Sequence, residues 1–375
     1  MPRTRKLGEG AQGIAYNLKN TSKEESFLKS LPDATMIRSI ILHVYNPPDH
    51  STVTLSGSKI QSFLDVLTEK EHIIVKVLKK IGVEADHVLE QEVESNRTIL
   101  NIYGEKAEEF LTIAPITGFE LYKVMAAVFH MTDGTMKHAI FGIKCNNHYS
   151  MNLPKLIKDI LDSLLILESK QYEHNDIKLD NLVLCSNRYK LIDWGESSPL
   201  LPVTTDLSAL SKLHMGSPTS SSPIRWYCKN GTYSKGLIES IAMMGWRVYM
   251  KHPEYHDSGL FQTQYLRIQR EYAAIIAVLP DQRMLYQQFR TTFGLFQLGM
   301  TILHAVYEYK LFEIDYYVRI VEYLTSLLRP VRSVQAAIDY IHSLPTPARG
   351  AGRAGGRRPS TRSNRKSSRK LRKRA

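Results

Sequence analysis

His174-Asn-Asp176-Ile-Lys178-Leu-Asp-Asn181 is followed, twelve residues after Asn181, by Asp193-Trp-Gly195. Upstream, Leu153, Leu156, Ile157, Ile160, Leu161, Leu164 and Leu167 recur at helical spacing, with Asn152 as a cap and Pro154 in the first turn. Between the two polar clusters, Leu182–Cys185 and Tyr189–Ile192 read as short strands joined by Ser186-Asn-Arg188. A long helix thus delivers the first cluster and a hairpin delivers the second. Phosphoryl transfer asks little covalent chemistry of a protein. It needs positioned charge, metal ligands and an acceptor near the nucleophile. Asp176 can accept the proton of an attacking hydroxyl, and Lys178 can approach a transferring phosphate. Asn181 and Asp193 supply oxygen ligands, which suit Mg²⁺.

The pattern H-x-D-x-K-x-x-N followed by D-W-G resembles the catalytic loop and D-F-G signature of the eukaryotic protein kinase family. Other parts of that family's pattern occur upstream in the same order. Gly8-x-Gly10-x-x-Gly13 resembles the glycine-rich loop over nucleotide phosphates, and Lys76 in Ile73-Ile-Val-Lys76 resembles the strand lysine. Such a lysine needs a helix glutamate, and Glu90, Glu92 and Glu94 compete within a helix expected over 85–103. Glu92 falls in the apolar arc formed by Val88, Leu89, Val93, Ile99 and Leu100, whereas Glu90 and Glu94 face away. A carboxylate on a buried face needs a partner, which assigns Glu92 to Lys76. Gly294-Leu-Phe-Gln-Leu-Gly299 is similar to the family's central large-lobe helix, and the segment from Leu327 to Ala336 to its closing helical segment.

The resemblance implies an α+β, bilobal protein-kinase-like fold. A small β-rich lobe is expected over 1–146 with an insertion at about 20–70, and a larger helical lobe over 147–345 with an insertion at about 225–290. It implies transfer of the γ-phosphate of ATP, with Mg²⁺, to Ser or Thr of protein substrates. The roles carried over are Asp176 as base, Lys178 as phosphate contact, Asn181 and Asp193 as metal ligands, and Lys76 on the phosphates, oriented by Glu92. Gly8, Gly10 and Gly13 cover the phosphates. Ala15 and Ile74 fall at adenine-pocket positions as a small-for-large, large-for-small exchange that conserves volume. Lys178 favours Ser/Thr over Tyr, and argues against a small-molecule kinase. The compact, divergent style resembles kinases encoded by large DNA viruses, which implies a host cell or virion setting.

Departures from the family pattern are specific. Asn175 stands where the family usually has the arginine that receives an activation-loop phosphate, which implies independence from that switch. Trp194 replaces Phe, and its indole N–H could hold the Asp193 loop inward. Ser222-Pro223-Ile224 replaces A-P-E, and its missing acid would have paired with a late arginine such as Arg332. The central-helix aspartate is absent, its place falling near Gly294. Gly13 and Lys76 are 63 residues apart, so the small lobe carries an insertion, tolerable at a surface loop.

The chain has 375 residues and a formal net charge of +12, with 49 Lys+Arg against 37 Asp+Glu. Residues 349–375 hold 12 of the basic residues and no acidic ones; the remaining 37 basic residues balance the 37 acidic ones. A neutral body with a basic appendage therefore replaces a generally basic nucleic-acid-binding protein as the reading. The tail over 346–375 has one large apolar residue, Leu371, and is expected to be disordered. It suits nucleic acid, acidic partners or nuclear targeting. The alternative to an enzyme is a pseudokinase-type scaffold using that tail; a kinase for a non-protein substrate is a second alternative. Cys145, Cys185 and Cys228 are widely spaced, so no disulfide framework is expected and a reducing, intracellular setting in cytoplasm or nucleus follows. Phe293 to Val306 is apolar but too short for a membrane span and contains Gln297 and His304, so no membrane role is expected. Residues 196–222, rich in Ser, Thr and Pro, are expected to form a long loop.

Overall fold

The computed structural model describes residues 8–9, 13–18, 27–31, 33–45, 52–79, 83–113, 116–119, 122–145, 151–217, 220–232, 259–309 and 314–345. Gly10, residues 20–26, 32 and 46–51 of the first expected insertion, residues 233–258 of the second and the 346–375 tail lie outside the described residues. Within them the fold is α+β, with an antiparallel sheet preceding a helical half.

The sheet comprises β1 (Gly8–Glu9), β2 (Gly13–Asn17), β3 (Ile37–Val44), β4 (Thr52–Leu55), β5 (Ile73–Leu78), β6 (Ile116–Phe119), β7 (Tyr122–Met131) and β8 (Met136–Ile143). Its order is β1-β2-β5-β8-β7-β3-β4, and β6 also pairs with β7. The β-branched run of β5 explains its central place, since such side chains pack well on a pleated surface. Asp133-Gly134 turns β7 into β8: Gly134 takes φ +84°, and Asp133 Oδ1 accepts from the Thr135 N–H and hydroxyl.

Alternation divides the sheet between two cores. Val75, Ala127, Phe129 and Phe141 pack on one face with Ile40, Leu42 and Phe63, the last from helix Ser58–Thr68. Leu78, Ala126, Val128 and Ile140 pack on the other with Leu89 and Val93 of helix Val83–Tyr103. Lys76 shares the second face with Leu78, two residues along β5, and so points toward that helix. The segment between Gly13 and Lys76 contributes β3 and β4 beyond β7, which leaves β2, β5 and β8 contiguous.

The second half begins with helix Leu153–Ser169, whose Asn152 cap accepts from the Lys155 N–H at 3.1 Å. After it come β9 (Tyr172–Glu173), the hairpin β10 (Leu182–Cys185) and β11 (Arg188–Leu191), and β12 (Ser198–Pro199), which pairs with β9. Residues 196–222 are therefore not purely loop: β12 and a short helix, Leu207–Leu210, occupy part of them. Helices Pro223–Asn230, Gly259–Val278, Gln282–Phe289, Phe293–Glu308, Ile314–Leu324 and Val334–Ser343 follow. Leu295, Phe296, Leu298, Ile302 and Leu303 are all buried, which makes Phe293–Glu308 the central helix of this half. Ile99, Leu100 and Tyr103, near the end of helix Val83–Tyr103, belong to the same core. Among the described residues no helix is long and apolar enough to cross a membrane.

The cysteine expectation is corrected. Cys145, just after β8, is disulfide-bonded to Cys185 at the end of β10, with Cα atoms 4.8 Å apart; Cys228 is free and buried. A separation of 40 residues hid the pair, because proximity of these strand ends is created only by the tertiary fold. The cysteine ground for a reducing setting is thereby removed.

Candidate active site

Register builds the first part of the site. In the β2–β5 pairing Ala15 lies opposite Lys76 and Asn17 opposite Ile74, so Ala15, Ile74 and Lys76 share one face. Gly8 pairs with Ala15 from β1. Gly13 is needed for close approach: a Cβ there would stand 2.8 Å from the Val77 carbonyl oxygen and 3.1 Å from Lys76 Cγ. Its bare backbone lets the lysine stem run alongside.

Lys76 Nζ lies 2.5 Å from Glu92 Oε1 and 3.6 Å from Asp193 Oδ1. Burial works against the ammonium, but the Glu92 and Asp193 carboxylates outweigh it and the Lys76 pKa is raised. Glu92 is only 8% exposed, while the Glu94 side chain is exposed and lies 3.8 Å from the buried Arg97. The carboxylate on the apolar arc of the helix is the one that meets the lysine.

The second part is the loop after β9. Asp176 Oδ2 accepts from Lys178 Nζ at 2.6 Å and from Asn181 Nδ2 at 2.9 Å, and Asp176 Oδ1 accepts from the Ser217 N–H at 2.7 Å. Asn181 Nδ2 also donates to the Asp176 carbonyl. The amide nitrogen is thus committed to Asp176, and Oδ1 is the side-chain atom of Asn181 that takes no part in these bonds. His174 joins this loop to the Asp193 segment. Its Nδ1 accepts from the Asp176 N–H at 3.3 Å, so Nε2 carries the proton and donates to the Ile192 carbonyl at 3.1 Å. Burial pushes the His174 pKa down to about 4, which keeps this tautomer neutral.

Asp193 adopts a left-handed backbone, φ 65° and ψ 70°, and its side chain is 42% exposed. The indole hydrogen bond expected of Trp194 does not form. Nε1 is buried without a hydrogen-bond partner, and the ring fills a space between His174, 4.4 Å away, and Tyr103, 6.1 Å away. The inward hold comes from Gln91, whose Nε2 donates to the Gly195 carbonyl at 3.1 Å.

Three residues that position this loop escaped sequence reading. Gln297 Nε2 donates to the Asn175 carbonyl at 2.5 Å, and Gln297 Oε1 accepts from the Ile177 N–H at 3.3 Å. The tie to the central helix therefore comes from Gln297, three residues beyond the place expected near Gly294, which instead packs against Leu164 and Ile177. A polar side chain in an apolar helix was its only signal. Gly216, at φ +59°, lies directly on the Asn175 carbonyl. Arg225 pairs with Glu173, so the buried guanidinium–carboxylate pair near 222–224 uses neither an A-P-E acid nor Arg332.

No family model matches the sequence, and no curated protein matches it. Among the described residues no group of three or more His, Cys, Asp or Glu could hold a metal ion. Mg²⁺ does not require one. It commonly takes one or two protein oxygens and completes its shell with water and phosphate. The exposed Asp193 carboxylate and the side-chain oxygen of the buried Asn181 fit that donor set.

Proposed function

We propose that this chain is an ATP-dependent protein kinase with a bilobal kinase-like arrangement, transferring the γ-phosphate to Ser or Thr hydroxyls of proteins. The observation that carries this reading is the approach of Lys76 to Glu92 and Asp193 together. Through it, a cation on the sheet meets the acidic segment that His174 ties to Asp176.

In this reading Lys76 orients the ATP phosphates, with Glu92 holding the ammonium in place and charged. Gly8 and Gly13 keep the covering strands free of side chains. Asp176 accepts the proton of the attacking hydroxyl, and Lys178, already within reach of Asp176, neutralises charge on the transferring group. Asp193 and Asn181 would hold Mg²⁺, which when bound neutralises charge on the phosphate oxygens. The neutral imidazole of His174 spaces the Asp176 loop from the Asp193 segment without adding charge to either.

The test is transfer of labelled γ-phosphate from ATP with Mg²⁺ to mixed basic protein substrates. Wild type, Asp176→Ala and a chain ending at Leu344 are compared. Transfer by wild type and the shortened chain, lost in Asp176→Ala, supports the reading. Wild type that binds ATP yet transfers nothing sinks it in favour of a scaffold.

A further inference from the structure

Arg225 heads the largest fully buried side chains among the described residues, and the chemistry above makes no use of it. Its guanidinium reaches three acceptors. Nη1 donates to Glu173 Oε2 at 3.0 Å, Nη2 to Asn175 Oδ1 at 2.6 Å, and Nε to the His214 carbonyl at 2.6 Å. The Phe293 ring lies 5.0 Å from the guanidinium carbon.

The identity of those acceptors matters. Glu173 and Asn175 bracket His174 and lead directly into Asp176. His214 leads into Gly216, which lies on the Asn175 carbonyl, and Ser217, whose N–H holds Asp176 Oδ1. One planar group thus joins the residues before Asp176 to the segment lying over it. The Asn175 amide extends the link, donating to the Glu196 carbonyl and to Ser198 Oγ, each at 2.8 Å. A buried charge is tolerated only when its donors are matched. A forked guanidinium can serve three acceptors in this way, whereas an ammonium on a flexible stem presents no such fork.

We propose that Arg225 is a positioning residue for the phosphotransfer site, fixing segment 214–217 over Asp176 by internal charge, so that no phosphate group on this segment is required. This rests on the kinase reading, and the test separates the two. Asn175, where the family resemblance expects a phosphate-receiving arginine, instead accepts from Arg225. The acid of the pair ends β9, just before the loop, and the base lies in the first turn of helix Pro223–Asn230.

The experiment uses full-length wild type, Arg225→Lys and Glu173→Gln. Amide hydrogen exchange at 214–217 is measured alongside phosphoryl transfer and thermal unfolding. Arg225→Lys keeps the charge and loses the fork. Exchange at Ser217 is expected to rise about tenfold or more, with helix Phe293–Glu308 still protected. The kcat is expected to fall about 100-fold, with KM for ATP within about twofold of wild type. Glu173→Gln, which keeps a neutral acceptor, moves the same readouts less. Phosphatase treatment of wild type leaves exchange at 214–217 unchanged. Unaltered exchange there in Arg225→Lys overturns the proposal, as does loss of wild-type protection after phosphatase. Uniform loss of protection across the central helix also overturns it, marking Arg225 as a fold residue only. If wild type transfers no phosphate, the kinase reading fails while the exchange pattern still decides the positioning role.

Discussion

Gly216 meets Asn175 so closely that a Cβ on Gly216 would stand 1.9 Å from the Asn175 carbonyl oxygen. This contact sets the height of the 214–217 segment above the loop from His174 to Asn181. The glycine also takes φ +59°, a left-handed conformation that side chains disfavour.

Gly216→Ala is accordingly expected to be severe. The left-handed backbone alone costs about 1–2 kcal/mol, and the clash is with backbone, which cannot turn aside. The segment must lift, taking the Ser217 N–H from Asp176. Thermal unfolding should shift down, and kcat should fall with little change in KM for ATP.

Gln297→Leu removes a donor from the Asn175 carbonyl and an acceptor from the Ile177 N–H. Both groups are buried in the loop, and each left unpaired costs about 1–3 kcal/mol. Gln297→Glu keeps the acceptor but sets a buried carboxylate oxygen against the Asn175 carbonyl, so its loss should be at least as large. Denaturant unfolding of the two variants checks the order.

The imidazole of His304 provides a pH test. Burial lowers its pKa from 6.5 to about 4. The unfolded chain then binds this proton first as pH falls. Its contribution is complete above 6.5 and declines as pH drops toward 4, by up to about 3 kcal/mol. His174, lowered in the same direction by burial, acts in the same window. Stability of wild type relative to His304→Leu, followed by denaturant unfolding from pH 7.5 to 4.5, should decline across that window.

Reduction of Cys145–Cys185 should lower stability by about 4 kcal/mol on the chain-entropy account of a loop this long. Comparison of oxidised protein, reduced protein and the Cys145→Ser/Cys185→Ser double variant by thermal unfolding checks this. The two variants without the bond should unfold together, below the oxidised protein.

Much of the site was legible because its signals are local. Lys76 lies in a β-branched run, and Glu92 is the only one of three nearby glutamates on an apolar helical arc. The Asp133-Gly134 turn and the Asn152 cap likewise declare themselves within a few residues. What escaped is fixed by partners far along the chain. Arg225 meets Glu173 and Asn175 across 52 and 50 residues, and Gln297 meets Asn175 across 122. Nothing in its immediate neighbours marks Arg225, and Gln297 is marked only as a polar side chain in an apolar helix. Trp194 failed differently: its environment supplies aromatic rings rather than an acceptor, so packing decided its role. Strands β3 and β4 add to the sheet edge, so their segment lengthened the spacing from Gly13 to Lys76 without disturbing the order β2, β5, β8.

The bond between Cys145 and Cys185 also closes a covalent ring around helix Leu153–Ser169 and the whole loop from His174 to Asn181. Tension applied at the chain ends passes through the sulfur atoms and bypasses that ring. In a single-molecule pulling trace the oxidised protein would extend roughly 130 Å less than the reduced one, since 40 residues of contour stay hidden. The loop that carries Asp176 is therefore mechanically shielded for as long as the bond is intact.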